Sequence, residues 1–335
     1  MTTLTPMMKN DSLEKIGKRL TEAQTVLLFP HVRGDGDVFG SCAALCHALR
    51  GLGKDCWILM EDKVPDVYEF LVDGMVTWDQ DILGIPDVCM CVDCGEENRL
   101  PKRLERFRSG RTTICLDHHE APAYMCDFNY VEPDAAATGE LVYMLLEAMG
   151  VEPDRECAED LYAAITKDTG NFEYSNTTAR THRIVASLYD TGANLHTVGT
   201  RLNENEKLSK IRLLGKALNS LELTEAGLFA MVCVTRKMME DCGAREEDTD
   251  GIVETIRGIA GVEMAAVLKE SDDGTVRVSM RVKNLGNVAA ICRQFGGGGH
   301  EKAAGFTWHG SIEDAKDAVR NAAKADLEKY VVRNH

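Results

Sequence analysis

Four short stretches of the chain set imidazoles and carboxylates at the ends of apolar or helical runs. The first is His31-Val-Arg-Gly-Asp35-Gly-Asp37, an imidazole and two carboxylates within seven residues. Gly34 and Gly36 let the backbone bend sharply enough for both carboxylates to face one point. Such a set can converge on hard or borderline cations, although Asp and Gly are equally the residues of an ordinary polar turn. An EF-hand loop is excluded, because Phe39 takes the next ligand position and no Glu closes the loop. The second stretch, Val88-Cys-Met-Cys-Val92-Asp93, is an apolar run ending in one Asp. The third is Thr112-Thr-Ile-Cys-Leu116-Asp117-His118-His119, and the fourth is Ala164-Ile-Thr-Lys-Asp168-Thr-Gly170. A single Asp after a strand is usually a cap or a turn residue. Several such ends on the same edge of one parallel sheet are harder to dismiss. Gathered there, the five carboxylates and three imidazoles of these stretches would repel and desolvate one another at high cost without cations.

The mixed oxygen and nitrogen donors suit Mn²⁺, with Mg²⁺, Co²⁺ or Fe²⁺ as alternatives. There are donors enough for two ions. Two divalent ions roughly 3.5–4 Å apart activate water and clamp a phosphoryl group for in-line attack. Phosphoester hydrolysis is therefore the expected reaction class. No P-loop, nucleophile elbow or Rossmann glycine pattern competes with it.

These stretches need elements to hold them. The runs 25–30, 55–60, 88–92 and 112–116 are apolar throughout rather than alternating, as buried parallel strands are. Helical patterns fill 40–49, 138–149 (ended by Gly150), 154–165 and 178–189. The alternation predicts an α/β fold with a doubly wound, mainly parallel sheet, in which ligands bind outside the carboxyl ends of the strands. The periodic stretch 204–223 is expected as one helix bridging two domains. Beyond it, β-like runs at 228–234, 262–268 and 276–282 with helical patterns at 287–293 and 312–330 predict a smaller α/β domain with a mixed sheet. The expected division is 1–200, a linker helix 201–223, and 224–335, with the active site in the cleft between the two domains.

At 335 residues the chain suits two domains. Hydrophobic residues at 44% and charged residues at 27% exclude collagen-like, coiled-coil and disordered chains. No uncharged apolar run reaches the roughly 18 residues of a membrane helix, and the N-terminus lacks a secretory pattern, so a cytoplasmic protein without membrane partners is expected. The residues before Ser12 carry no readable role. A net charge of −16 repels a long polyanion and disfavours coating duplex nucleic acid; a small anionic substrate held by metal ions fits better. Most of the excess acid lies in the first 220 residues, where the metal ligands would be. Cys89, Cys91 and Cys94 resemble a zinc cluster in spacing, but no second ligand pair accompanies them and Cys89 and Cys91 alternate in an apolar run. Buried small hydrophobes, reduced like the other cysteines, are the better reading.

The last signal is Phe295-Gly-Gly-Gly-Gly299-His300-Glu-Lys-Ala-Ala-Gly305-Phe. Consecutive glycines expose backbone N–H groups and allow close approach by an anion, and His300 adds a donor. A flexible linker is the plain alternative; the apolar residues that follow at once speak against it. Arg281 upstream suits a bidentate phosphate contact and equally a solvated surface charge.

With these motifs in order, the chain resembles the DHH phosphoesterase superfamily with its DHH-associated C-terminal domain. His31-x-x-x-Asp35-x-Asp37, Asp93, Asp117-His118-His119 and Asp168 match its four motifs, and GGGGHEKAAGF with Arg281 matches the C-terminal one. The match runs from about Thr25 to Trp308. The resemblance implies that His31, Asp35 and Asp93 hold one ion, and that Asp37, Asp93, His118 and Asp168 hold the other, with Asp93 bridging. It implies that Asp117 orients a histidine and that His119 meets the scissile phosphate or the leaving group. Gly297, Gly298, Gly299, His300 and Arg281 would grip the far part of a nucleotide. Gly34 stands where many members have Pro, and Val282 where Ser is common after the Arg.

Size and the lack of further domains resemble the bifunctional oligoribonuclease and 3′,5′-bisphosphate nucleotidase group. The resemblance implies a Mn²⁺-dependent hydrolase cleaving dinucleotides to nucleoside 5′-monophosphates, with 3′-phosphoadenosine 5′-phosphate as a further substrate. Phe172 or Tyr174, just after Asp168, is a candidate to stack on a base, although core packing is the plainer role for both. A soluble cyclic-dinucleotide phosphodiesterase would need the same grip. A catalytically dead nucleotide-binding module would have lost a ligand, and all six candidate ligands are present. The residues leave the oligomeric state open, a homodimer included.

Overall fold

The computed structural model describes residues 10–119, 126–224 and 227–331. The chain divides into two compact units, Met1–Asn205 and Glu206–His335.

The first unit is built on a six-stranded sheet of order β3-β2-β1-β4-β5-β6. The strands are β1 Thr25–Phe29, β2 Asp55–Leu59, β3 Val76–Thr77, β4 Val88–Val92, β5 Thr112–Asp117 and β6 Phe128–Val131. Every pairing is parallel. Both faces are covered, which explains the uninterrupted apolar strands. Val26 and Leu28 of β1 face one cluster, with α2 Gly36–Gly51, α4 Thr138–Met149 and α5 Arg155–Asp168. Leu27 and Phe29 face the other, with α3 Leu104–Arg108. The first core also takes in α1 Leu13–Glu22, α6 Ala179–Asp190 and α7 Leu195–Asn203. Gly40 lets α2 lie against α5, since a Cβ there would sit 2.5 Å from Asp160 O and 2.7 Å from Ala164 N. That crossing sets Asp37 and Asp168, at the near ends of the two helices, close together.

β1 pairs with β2 on one side and β4 on the other, so the strand order reverses between β1 and β4. This is the switch point at which open α/β sheets form their ligand crevice. Cys89, Cys91 and Cys94 lie buried under the second face, and all twelve cysteines are free thiols.

The second unit carries a mixed six-stranded sheet of order β11-β12-β10-β9-β8-β7. Its strands are β7 Glu222–Leu223, β8 Phe229–Val234, β9 Met264–Glu270, β10 Val276–Val282, β11 Gly298–His300 and β12 Ala303–Trp308. Only β8 and β9 run parallel. One face packs on α11 Val288–Gln294 and α12 Ile312–Val331. The other packs on α8 Leu208–Leu218, α9 Arg236–Cys242 and α10 Ile252–Arg257. Among the described residues no helix is long and apolar enough to cross a membrane.

One expectation needs correction. The stretch 204–223, expected as one helix, is interrupted at both ends. Glu204 closes α7 and Lys207, in extended backbone, opens α8. At the far end Ser220 Oγ donates to Ala217 O at 2.7 Å and accepts from Cys233 N at 2.9 Å. That exchange turns the chain from helix into the sheet edge, so helical periodicity over 208–218 runs on into a strand. In the glycine run, in keeping with the reading against a flexible linker, Gly298, Gly299 and His300 pair with β12 as an edge strand. Asn10 and Asp11, which carried no readable role, hydrogen-bond along β6. Asn10 Nδ2 donates to Val131 O at 2.7 Å and Asp11 N to Asn129 O at 2.8 Å, covering an edge that would otherwise be open. The residues before Asn10 lie outside the described ones.

Candidate metal centre

Each motif residue is placed by the end of an element. Pro30 and His31 follow β1, Asp93 follows β4, and Asp117 closes β5 with His118 and His119 beyond it. Asp35 is the N-cap of α2, its Oδ1 accepting from Asp37 N at 3.1 Å and Val38 N at 3.2 Å. Asp37 lies in the first turn of α2, and Asp168 is the last residue of α5. Asp93 takes a left-handed backbone with φ 56°, a conformation that costs energy in a non-glycine residue and is held only where the surroundings impose it.

These residues converge. His31 Nε2 lies 3.4 Å from Asp93 Oδ2 and 4.0 Å from Asp35 Oδ2. His118 Nε2 lies 3.5 Å from Asp168 Oδ2, 3.6 Å from Asp93 Oδ1 and 3.7 Å from Asp37 Oδ2. Two donor sets result, His31–Asp35–Asp93 and Asp37–His118–Asp168, each with ligand atoms within 4.8 Å of one another. Asp93 presents one oxygen to each histidine. A third grouping, Asp93–His118–His119, overlaps them.

The histidine chemistry tests the fit of a cation. His31 Nδ1 lies 2.9 Å from Val32 O and His118 Nδ1 lies 3.1 Å from Ala135 O. Assigning the ring proton to Nδ1 in both leaves each Nε2 lone pair aimed at carboxylates. That is how histidine ligands are oriented, with the far nitrogen fixed by a carbonyl. His31 Nε2 is buried and has no hydrogen-bond partner among the described residues. An orphaned acceptor facing two carboxylates is satisfied by a cation, so the residues fit a divalent ion at each set.

Electrostatics agree. Burial pushes the Asp37 carboxyl well above its ordinary range, and the charges of Asp93, Asp168 and Asp35 push the same way. Burial, together with Asp93 and Asp35, raises Asp168 to about 6 against the opposing pull of His118. Burial would also raise Asp93, but the imidazoles of His31, His119 and His118 hold it below the usual carboxylate range. Added positive charge relieves this cluster.

Asp117 belongs to none of the donor sets. Its Oδ1 accepts from His119 Nδ1 at 2.7 Å and from His119 N at 3.2 Å, so the histidine it orients is His119. That hydrogen bond raises the His119 imidazole to about 9. His119 is the most exposed of the three imidazoles. Tyr174 is exposed, and its ring packs where a Gly170 Cβ would stand, whereas Phe172 packs on Tyr162 and His182. In the second unit Arg281 is engaged, its Nε donating to Glu254 Oε1 at 3.0 Å and its Nη1 to Met280 O at 3.1 Å. Gly297 and Gly299 are explained by packing, because a Cβ on either would strike β12. Gly298 faces open space and His300 is exposed.

Sequence reasoning passed over the residues that hold the ligands. Thr138 N and Gly139 N, at the start of α4, donate to Asp37 at 2.7 and 3.0 Å, and Ser41 Oγ donates to Asp37 Oδ1 at 3.1 Å. Arg103 is fully buried, its Nη2 donating to Pro30 O at 2.8 Å and its Nη1 to Leu59 O at 2.6 Å. It clamps the ends of β1 and β2 just before His31. Asn176 Nδ2 bridges Asp168 O and Ala136 O at 3.1 and 2.9 Å. The place of Thr138 at the start of a helix was visible; its bonds to carboxylates from other elements were not.

The chain is similar to known proteins along most of its length. Residues 25–165 match the DHH family, N-terminal domain, and residues 229–329 match the DHHA1 domain. The bifunctional oligoribonuclease and PAP phosphatase NrnA of Thermus thermophilus is 31% identical over 91% of this chain and 90% of its own. Its counterpart in Bacillus subtilis is 28% identical over 85% of this chain and 90% of its own. A crystal structure of an exopolyphosphatase-related protein from Bacteroides fragilis shares the fold, with a TM-score of 0.88 and 24% identity over 98% of each chain. With the donor sets at the sheet's switch point and both domain signatures in order, the chain belongs to the DHH family of phosphoesterases.

Proposed function

We propose that the protein hydrolyses short oligoribonucleotides, dinucleotides above all, to nucleoside 5′-monophosphates, and that it also removes the 3′-phosphate of 3′-phosphoadenosine 5′-phosphate. The observation that carries this reading is Asp93, whose two oxygens face separate histidine–carboxylate sets. Relatives matched along nine tenths of this chain or nearly so bear names with both activities. Two divalent cations, with Mn²⁺ the best match to the donors, would supply Lewis acidity and an activated water when bound.

The chain's own residues do the rest. His31, Asp35 and Asp93 would hold one cation, and Asp37, Asp93, His118 and Asp168 the other. Asp117 fixes the Nδ1 side of His119, leaving Nε2 to meet the scissile phosphate or the leaving oxygen. In the second unit Gly298, its neighbouring glycines, His300 and Arg281 are the residues proposed to bind nucleotide. Arg281 must first give up Glu254. A net charge of −16 suits a substrate with few phosphates and opposes a long duplex. Twelve free thiols suit a reducing cytoplasm.

The test is a Mn²⁺-dependent hydrolysis panel read by chromatography. It compares a 5′-phosphorylated diribonucleotide, 3′-phosphoadenosine 5′-phosphate, a cyclic dinucleotide, long single-stranded DNA and pyrophosphate. Fast release of nucleoside 5′-monophosphate from the dinucleotide, with little attack on long DNA, is expected. Turnover of the cyclic dinucleotide or pyrophosphate alone, or of nothing, overturns the substrate assignment.

A further inference from the structure

Arg99 stands beside the first donor set without a carboxylate of its own. It ends the short 3-10 turn Glu97–Arg99 that follows Asp93. Its backbone is tied to the ligand turn, Arg99 O accepting from Val32 N at 3.1 Å. Its half-buried guanidinium approaches one acceptor, His31 Nδ1, which lies 3.1 Å from Nη2. Among the described residues Arg99 makes no ion pair, in a chain with 54 acidic residues. Nearby Arg103 and Arg108 are both paired, with Glu61 and Glu97.

His31 Nδ1 has two neighbours that demand opposite tautomers. Val32 O, at 2.9 Å, needs a proton on Nδ1. The Arg99 guanidinium is a donor only and needs Nδ1 bare. With Nδ1 bare, the proton sits on Nε2, which faces Asp93 and Asp35 and then cannot ligate a cation. With the proton on Nδ1, Nε2 is free to ligate and Arg99 loses its acceptor. A cation on His31 therefore leaves an unpaired guanidinium at the edge of the site.

We infer that Arg99 binds a non-bridging oxygen of the substrate phosphate and is released to do so when His31 takes up its cation. This rests on the proposed phosphoester chemistry and adds a contact residue to it. Metal loading and substrate binding are then coupled through the tautomer of one imidazole. A guanidinium suits the task because its planar donors match phosphate oxygens.

The test uses adenosine 5′-monophosphate, a product-type ligand that does not turn over. Binding is measured by calorimetry on the full chain, with and without Mn²⁺, and bound metal is counted by elemental analysis. The wild type should bind the nucleotide more tightly with Mn²⁺ than without. Arg99→Met should keep the wild-type metal content and bind the nucleotide roughly 10- to 100-fold more weakly in the loaded protein. Arg99→Lys, which keeps charge without the planar fork, should lose less. Metal-free wild type and Arg99→Met should bind alike. Wild-type affinity in loaded Arg99→Met, or nucleotide binding by the wild type that ignores Mn²⁺, overturns the inference. Loss of metal from both variants also overturns it, because Arg99 would then be supporting His31. If the wild type cleaves no dinucleotide but Arg99→Met still shows the weakened binding, the phosphate contact stands and the substrate assignment falls.

Discussion

Thr138 Oγ1 donates to Asp93 Oδ1 at 2.8 Å. The same residue's N–H donates to Asp37 Oδ2 at 2.7 Å. One buried residue at the start of a helix thus orients both Asp93, whose two oxygens face His31 and His118, and Asp37 of the second donor set. The two N–H groups that α4 leaves free in its first turn, on Thr138 and Gly139, would otherwise be orphans; here they are spent on Asp37.

Thr138→Val keeps the shape and removes the hydroxyl. Outer partners of metal ligands are typically worth about 10- to 100-fold in metal affinity. Mn²⁺ titration of Thr138→Val should show a loss in that range, and Thr138→Ser should recover most of it. Unchanged affinity in the valine variant would remove Thr138 from the account.

Arg103 tests the support of the other side. Arg103→Met removes the buried guanidinium that donates to Pro30 O, Leu59 O and the nearly buried Glu61. Breaking a buried charged network of this kind costs about 3–5 kcal/mol. Chemical denaturation should show a loss of that size. Mn²⁺ affinity should also fall, because Pro30 directly precedes His31. A variant as stable as wild type would show that the clamp is not needed.

Much of this architecture was legible because physical demands were written locally. The strands Val88–Val92 and Val276–Val282 and the helix Thr138–Met149 follow the sequence patterns residue for residue. The first has both faces buried, the second alternates, and the third ends on a left-handed Gly150. The two-residue strand Val76–Thr77 and the edge strand Phe128–Val131 carry too little pattern of their own and exist through their neighbours. Leu13, Ile16 and Leu20 do carry helical spacing behind a Ser12 cap, yet no chemical motif draws the eye there. At the metal centre the ligand types are spelled out in the sequence. Thr138, Arg103 and Arg99 are not, since each acts through a partner 44 or more residues away, on Asp93, Leu59 and His31 in turn.

Stability should depend on pH through His47 and Asp160, which join α2 to α5 at 2.6 Å. Burial raises Asp160 to about 7, outweighing the hydrogen bond and charge of His47. Burial works against protonation of His47, but the hydrogen bond and charge of Asp160, together with the charge of Glu156, outweigh it and raise the imidazole. Both groups hold protons more tightly folded than unfolded, so their contribution is present at low pH and lost as pH rises. For Asp160 the window runs from its ordinary 3.8 to about 7. Asn carries no such titration. The stability of Asp160→Asn relative to wild type should rise from pH 4 to pH 7, by at most about 1.4 kcal/mol per pH unit. Urea denaturation across that range checks it, and a flat difference would contradict the pairing.

The glycine run separates packing from ligand approach. A Cβ on Gly299 would lie 2.6 Å from Ala303 O, at φ 135°. Gly299→Ala should therefore destabilise the second unit by about 1–3 kcal/mol. Gly298 has nothing within 4 Å, so Gly298→Ala should leave stability within about 0.5 kcal/mol. If Gly298 is bare to admit nucleotide, its alanine variant should raise KM for the dinucleotide. Wild-type kinetics would limit the run to strand packing.

The central claim is that Asp93 joins two cation sites, and counting bound metal tests it most directly. Protein equilibrated with Mn²⁺, desalted and measured by elemental analysis should carry two ions per chain. Asp93→Ala should carry one or none while keeping its fold by circular dichroism. A wild type that retains no metal, or an Asp93→Ala variant that retains both ions, would contradict the account.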